Sequence, residues 1–287
     1  MPGRDIFLRL AVFALCLSSV TGDGIAAEGS GRVEIAPREW GCYQAHLPDN
    51  DSVRWRAEWL LERVEEGPPA VYVGREELKG RFGRKNLDQT RLTEARFLLD
   101  EGRTRMIHSL LTVMDRSGKK IFLLEKEFDH QRGVVRTKTT FPDTGKTRRQ
   151  EFEMGAALVD IKDIVLYLRR FPFPSPAEVK AGKGGDRALE FKLLNETPDT
   201  YSVRVVHQGI EEVTTPAGVF SCHKLRLVLD LGILTFVGKL LAPDLYMWFT
   251  VEPPHFWVRY QGMEEGPKTP VIISELVEFH TAPPASP

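Results

Sequence analysis

The sequence is poor in the residues that mark most enzymes and metal proteins. It has three cysteines in 287 residues and no CxxC pair. Its seven histidines, at 46, 108, 130, 207, 223, 255 and 280, never fall at the i, i+4 spacing that builds zinc sites. It has no GxSxG elbow, no P-loop and no GxGxxG after a strand, and KGGDR sits in a Pro/Gly-rich connector. The one adjacent acid–base pair, Asp129-His130, falls at the end of a strand pattern, where successive side chains point to opposite faces. Catalysis is thus left without a placed nucleophile or base. The chain is read as non-enzymatic, with no catalytic residue, no metal ligand and no cofactor.

An excess of either charge is also lacking. Lysine and arginine number 39 against 40 acidic residues, so no net positive field draws in nucleic acid or an anionic membrane, and any partner must be argued locally. No apolar run is long enough to span a bilayer. The longest near the N-terminus, AVFALCLSSV, follows Arg4 and Arg9 and precedes the small residues of GIAAEGS, the pattern of a cleaved secretory leader over residues 1–27. Cleavage after Ala27 removes Arg4, Arg9, Asp5 and Asp23, leaving 37 basic and 38 acidic residues. The expected location is periplasmic, with no integral span after cleavage. A chain anchored by its N-terminal segment is the alternative.

Export changes what the cysteines mean. Once Cys16 leaves with the leader, Cys42 and Cys222 remain, and an even pair in an oxidising compartment suggests a disulfide. Closing so long a loop is worth on the order of 5 kcal/mol in the chain-entropy model. The alternative makes Cys222 a small buried hydrophobe and leaves Cys42 free in a tail.

What the sequence does have is a core's worth of apolar residues, 42% of the chain, arranged with period two. RTRMIHSLLTVMDRSGKK, KIFLLEKEFD and GVVRTKTTFPDTGKTRRQEFEM read as successive strands, with Ser117-Gly118 and Pro142 to Gly145 as hairpin turns. Val135, Thr137 and Thr139 share one side of their strand. LEFKLL, TYSVRVVHQGIEEV, VFSCHKLRLVLDLG and VIISELVEFH continue the series without the intervening helices a parallel sheet needs. In TTPAGV, Pro216 and Gly218 suit a tight turn, and Lys224 and Arg226 in the following strand face solvent or a cavity mouth.

One segment has helical period. In DIKDIVLYLRRF, Ile161, Ile164, Val165 and Leu168 form a stripe, with Asp160 placed to cap the N-terminus and Arg169 and Arg170 at the other end. The expected fold is mainly β, a curved antiparallel sheet or half-barrel with this one amphipathic helix, about residues 160–170, packed on it. PFPSPAEVKAGKGGDR follows as a connector. Residues 28–51 are expected to be an extended N-terminal segment, 52–280 a single β-rich domain, and 281–287 a flexible tail.

The densest aromatic stretch is LYMWFTVEPPHFWVRY, residues 245–260. Alternation places Leu245, Met247 and Phe249 opposite Tyr246, Trp248 and Thr250, and then Phe256, Val258 and Tyr260 opposite Trp257 and Arg259, a hairpin with large groups on both faces. Either both faces are covered by protein or one lines a cavity. Just upstream, LGILTFVGKLLAP is uncharged from 231 to 238. In the cavity reading, Phe236, Leu240, Leu241, Trp248 and Trp257 bind an acyl chain or similar hydrophobic ligand.

VTTPAGVFSCHKLRL, the aromatic stretch, VIISELVEF and DIVLYLRRFPF together resemble a bacterial family catalogued as domain of unknown function 3108, over residues from about 52 to the last strand. That resemblance implies an exported, mostly antiparallel β protein. The expected role is to bind or carry a hydrophobic, lipid-like ligand in the periplasm. The alternative is a cell-envelope assembly or interaction factor with a protein partner and no ligand cavity. Nucleic acid is not expected as a partner.

Overall fold

The computed structural model describes residues 32–155, 157–183, 187–230, 244–266 and 269–282. The period-two runs form β1 (Arg38–Leu47), β2 (Asn50–Glu65), β3 (Ala70–Phe82), β4 (Leu87–Asp100), β5 (Arg103–Asp115), β6 (Lys120–Asp129), β7 (Val134–Phe141) and β8 (Lys146–Glu153). After a crossover segment come β9 (Leu158–Asp160), the short helices α1 (Ile164–Leu168) and α2 (Pro176–Lys180), and then β10 (Ala188–Leu194), β11 (Thr200–Thr215) and β12 (Gly218–Asp230). β13 (Leu245–Thr250), β14 (Trp257–Met263) and β15 (Val271–Ala282) complete the series.

All fifteen strands join one sheet in the order β8-β7-β6-β5-β4-β3-β2-β1-β15-β14-β13-β12-β11-β10-β9. Every pairing is antiparallel except β9 with β10. A twisted sheet beyond about ten strands must curl or split. Here β8 and β9 occupy opposite edges, yet only residues 154–157 separate them in sequence, so the edges lie within about 18 Å of each other. The sheet is therefore a curved, barrel-like wall, as the alternation predicts.

The inner face is the one that packs on the crossover segment. One core gathers Val159, Ile164, Leu168 and Phe171 of that segment with Phe191, Val205, Leu225, Met247 and Phe249 of the C-terminal strands. A second joins Leu61, Tyr72, Phe97, Met106, Phe128 and Val135 of the N-terminal strands to Leu194 of β10, with Leu166 against it. The two halves of the wall thus meet through the crossover. Val135, Thr137 and Thr139 lie buried on this inner face, as expected for β7.

Buried ion pairs also tie the crossover to the sheet. Lys126 of β6 donates to Asp160 at 2.5 Å with both side chains essentially out of water. Arg169 grips Glu39 of β1 through two bonds of 3.0 and 2.8 Å, again with both groups buried. Lys162 reaches Glu196 at 2.7 Å and Glu76 at 3.7 Å. Burial opposes the charge on Glu196, yet Lys162 and Arg91 hold its carboxyl down at about 2.

Three expectations need correction. Residues 38–47, assigned to a loose N-terminal segment, form β1 at the middle of the sheet, hydrogen-bonded to both β2 and β15. The pattern was obscured because its inward positions are Glu39, Gly41, Tyr43 and Ala45, a buried charge and two small residues among them. Gly41 is required by close approach: a Cβ there would meet the Glu278 carbonyl at 2.4 Å and the Trp59 ring at 3.1 Å. The helix over 160–170 is only Ile164–Leu168, and Asp163 rather than Asp160 stands at its N-cap, making no side-chain cap bond. Asp160 is held extended by pairing with Leu194 and is occupied by Lys126 and the Lys162 amide. The stripe itself was correct, since Ile161, Ile164, Val165 and Leu168 all pack in one core.

The third correction concerns Cys42 and Cys222, which are free thiols. β1 and β12 are four places apart in the sheet, about 19 Å across at ordinary strand spacing, whereas a bridge needs Cα atoms within about 7 Å. Cys222 lies buried beside Trp248, and burial pushes its thiol up to about 12. This is the small-hydrophobe role. Thiol titration of unfolded, never-reduced mature protein should count two reactive groups; a count of zero would restore the bridge.

Truncating one member of a buried pair strands the other charge. Asp160→Ala should cost about 3–5 kcal/mol in urea unfolding, while the double variant Lys126→Met, Asp160→Leu should recover most of that loss. A single-variant cost below about 1 kcal/mol would show that the pair does not hold the crossover.

Candidate functional site

The aromatic stretch becomes β13, a turn, and β14, with the peptide Pro253-Pro254 cis and His255 in the left-handed region at φ 54°. A bulge decides which face each residue serves. Trp248 pairs with Arg259 while Phe249 pairs with Trp257, so Val258 is the extra residue and shares a face with Arg259. Strict alternation fails at this point. Trp257 and Tyr260 face inward together and Val258 faces outward, which differs from the period-two expectation.

Trp248 therefore belongs to the outer face. It is 3% exposed and packs with Val213, Cys222 and Val258, with Phe220, Tyr246 and Phe256 around them. Its indole nitrogen donates to Glu211 at 2.6 Å, and Lys224 lies over both Trp248 and Tyr246, 5.1 and 4.9 Å from their ring centres. The PAG turn packs instead on the cluster around Tyr43 and Leu276: Thr215 pairs with Gly218, whose φ of 130° needs glycine, and the Ala217 amide donates to the Leu276 carbonyl at 3.2 Å. Lys224 is half-buried beside Glu211 and Arg226 is exposed with Asp244, so both point outward as predicted.

Trp257 lies on the other face. It stacks on Tyr43 at 4.3 Å, and the Tyr43 hydroxyl donates to the Trp257 carbonyl at 2.7 Å. From there the rings run Tyr43, Trp59, Phe279, Phe256 and Phe220, with successive centres 6.5, 5.9, 4.5 and 5.8 Å apart. Trp248 and Trp257 thus do not share a pocket wall. Phe236, Leu240 and Leu241 lie outside the described residues. Trp248 and Trp257 each pack against protein, on opposite faces of the hairpin.

The sequence did not reveal what lies inside the hairpin. His207 and His223, buried on neighbouring strands, share a hydrogen bond of 3.0 Å between Nε2 and Nδ1. Phe173 of the crossover stacks on His223 and packs on His255, each at 4.5 Å, while Phe171 lies 6.4 Å from His207. His255 Nδ1 donates to the Thr250 carbonyl at 2.8 Å. Burial, with His207 and His255 beside it, drives the His223 imidazole down to about 3. The cluster is a seat on which Phe171 and Phe173 of the crossover rest. Its histidines span 48 residues of the chain, from 207 to 255, and only the register and the turn bring them together.

Other candidates are also polar or structural. A cavity of about 350 Å³ along β2 and β3 is lined by Val53, Trp55 and the charged Arg54, Arg56, Glu58, Glu77 and Lys79. That lining does not suit an acyl chain. Among the described residues no group of three or more His, Cys, Asp or Glu is placed to hold a metal ion. Ser175-Pro176-Ala177-Glu178 forms a full capping box for α2, a helix start legible in the sequence but passed over as connector.

No protein-family model matches the sequence, and no curated protein is significantly similar to it. Among solved structures, the chain is similar to a β-barrel-like protein of domain of unknown function DUF1849 from Brucella abortus. That match has TM-score 0.51 and 10% identity, over 87% of this chain and 99% of that one. Two others are further away in shape. One is a protein assigned as exported, with a YmcC-like fold, from Bacteroides fragilis (TM-score 0.36, 8% identity, 88% and 99% covered). The other is a protein assigned as a lipoprotein from Parabacteroides distasonis (TM-score 0.34, 8% identity, 87% and 97% covered). The fold is thus β-barrel-like, in keeping with the architecture that the resemblance to family 3108 implies, without a match to that family itself. No described helix is long and apolar enough to cross a membrane.

The histidine seat has a pH signature. His223 binds its proton at about 3 in the folded chain and near 6.5 when unfolded, so its contribution to stability is full above about 6.5 and is lost as pH falls toward 3. Asp163, whose carboxyl burial pushes up to about 8, acts in the opposite sense. The diagnostic is therefore the difference between wild type and His223→Phe. Wild type should lose Tm relative to the variant as pH drops from 7 to 4; parallel curves would show that His223 is not buried neutral.

Proposed function

We propose that this is an exported factor of the cell envelope that acts through its outer protein surfaces and stores no ligand inside its sheet. The observation that carries this reading is the state of the inner face. There the crossover segment occupies the concave wall, with Lys126–Asp160 and Arg169–Glu39 buried against it. An acyl chain needs a dry, apolar, unoccupied volume, and buried ion pairs are its opposite. Trp248 and Trp257, the two described members of the lipid-binding set, point to opposite faces. Export rests on the leader pattern of residues 1–27, and relationship to family 3108 rests on the sequence resemblance.

Native mass spectrometry of protein purified from an exported, unrefolded preparation, with solvent extraction, tests this directly. The expected spectrum is the mature chain alone or with a protein partner. A stoichiometric lipid-sized adduct, recovered in the organic extract, would establish the carrier reading instead.

A further inference from the structure

The near-zero net charge hides a strong separation of charge along the strands. Because β3 to β8 form a simple meander, the turns β3–β4, β5–β6 and β7–β8 all emerge at one end of the wall, and the turns β2–β3, β4–β5 and β6–β7 at the other. Residues 81–88, 115–120 and 141–149, the β3–β8 part of the first end, carry nine lysines and arginines against three aspartates, while Glu264 and Glu265 of the β14–β15 turn at the same end are taken up by the Gly83 amide and Arg91. Residues 64–71, 99–104 and 128–135, at the second, carry two arginines against five carboxylates. One rim is strongly basic and the other mildly acidic, on a chain whose net charge is −1.

The basic rim is open to solvent. Arg81, Arg84, Lys85, Arg116, Lys119 and Lys120 are all exposed, as are Lys146, Arg148 and Arg149 of the edge strand. Two of its three acids are already engaged. Asp115 accepts from the Ser117 and Lys119 amides within its own turn, and Asp143 pairs with Lys119 of the neighbouring turn. That second contact fixes two of the three turns side by side. The rim is five strand spacings wide, about 24 Å. Leu87, 49% exposed, projects among the cations.

We infer that this rim of three adjacent hairpin turns is a docking surface for an anionic lipid bilayer. Turn tips aligned along a sheet end present a flat row of long flexible cations without a groove, which fits a plane of phosphate headgroups better than a strand or peptide that must be enclosed. Such attraction acts within a Debye length, about 10 Å at 0.1 M salt, so only the rim and not the net charge matters to it. The inference goes beyond the proposed surface-acting role and does not depend on whether the interior holds a ligand.

The test is co-sedimentation of the mature protein with vesicles of phosphatidylglycerol and phosphatidylethanolamine, against vesicles of phosphatidylcholine, at 50 mM and 500 mM salt. Binding should require the anionic lipid and fall at least about tenfold at the higher salt. The variant Arg84→Glu, Lys85→Glu, Arg148→Glu, Arg149→Glu should lose binding by at least about tenfold. An equally charged control, Arg132→Glu, Lys180→Glu, Lys192→Glu, Arg204→Glu, should keep it, with circular dichroism confirming that both fold. If the rim variant unfolds, the pair Lys146→Gln, Arg148→Gln with a proportionate loss carries the same conclusion. Absence of binding to anionic vesicles, equal loss in the control, or a short DNA duplex competing as well as the vesicles would overturn the inference.

Discussion

Lys126 and Asp160 meet at 2.5 Å in a place where neither touches water, and the geometry of the molecule follows from the need to keep them together. Isolated, either charge would cost several kcal/mol to bury. β6 supplies the cation from the N-terminal half of the wall, and β9, at the far edge, supplies the carboxylate. Their meeting requires the sheet to curl until its edges are close. Arg169 with Glu39 repeats the constraint one step along the crossover, from the end of α1 to the middle strand β1. Apolar contact then fills in around both pairs, with Leu166 and Leu194 in one half and Ile164, Leu168 and Phe171 in the other.

This accounts for a concave face that, among the described residues, packs on the crossover segment. A fifteen-stranded wall has ample width to enclose a ligand, yet the same chain supplies the contents of its own concavity. The aromatic hairpin illustrates the result. One extra residue, Val258, turns what alternation presents as two aromatic stripes into two separate contacts, Trp248 outside under Glu211 and Lys224, Trp257 inside on Tyr43. Each ring has a protein partner for its polar nitrogen: Glu211 for Trp248 and the Arg259 carbonyl for Trp257.

Much of the fold was legible because strands announce themselves by period two and turns by Gly, Pro, Asp and Asn. The meander, the PAG hairpin, the outward Lys224 and Arg226 and the inward Thr137 and Thr139 could all be read in this way. β1 was missed because a buried Glu39 and the small residues Gly41 and Ala45 do not look like a core face until Arg169 and Trp59 are seen against them. The helix was too long because β9 and a salt bridge compete for Asp160, and no local pattern encodes a partner 34 residues away. The bulge at Val258 and the seating of Phe173 on His223 are likewise tertiary facts. The charged rim was legible in principle, since its residues lie in three turns, but only the strand order shows that those turns share one end.

The account depends most on the crossover being an integral part of the core. Native-state hydrogen exchange on the amides of residues 158–171 measures that directly. Tyr167, Arg169 and Phe171, whose amides bond within the segment, should exchange only through global unfolding, with protection equal to that of Tyr43 and Ala45 in β1. Exchange through a low-energy local opening, with β1 still protected, would mean that the segment lifts out as a lid. The interior would then be accessible, contrary to the packed wall described above.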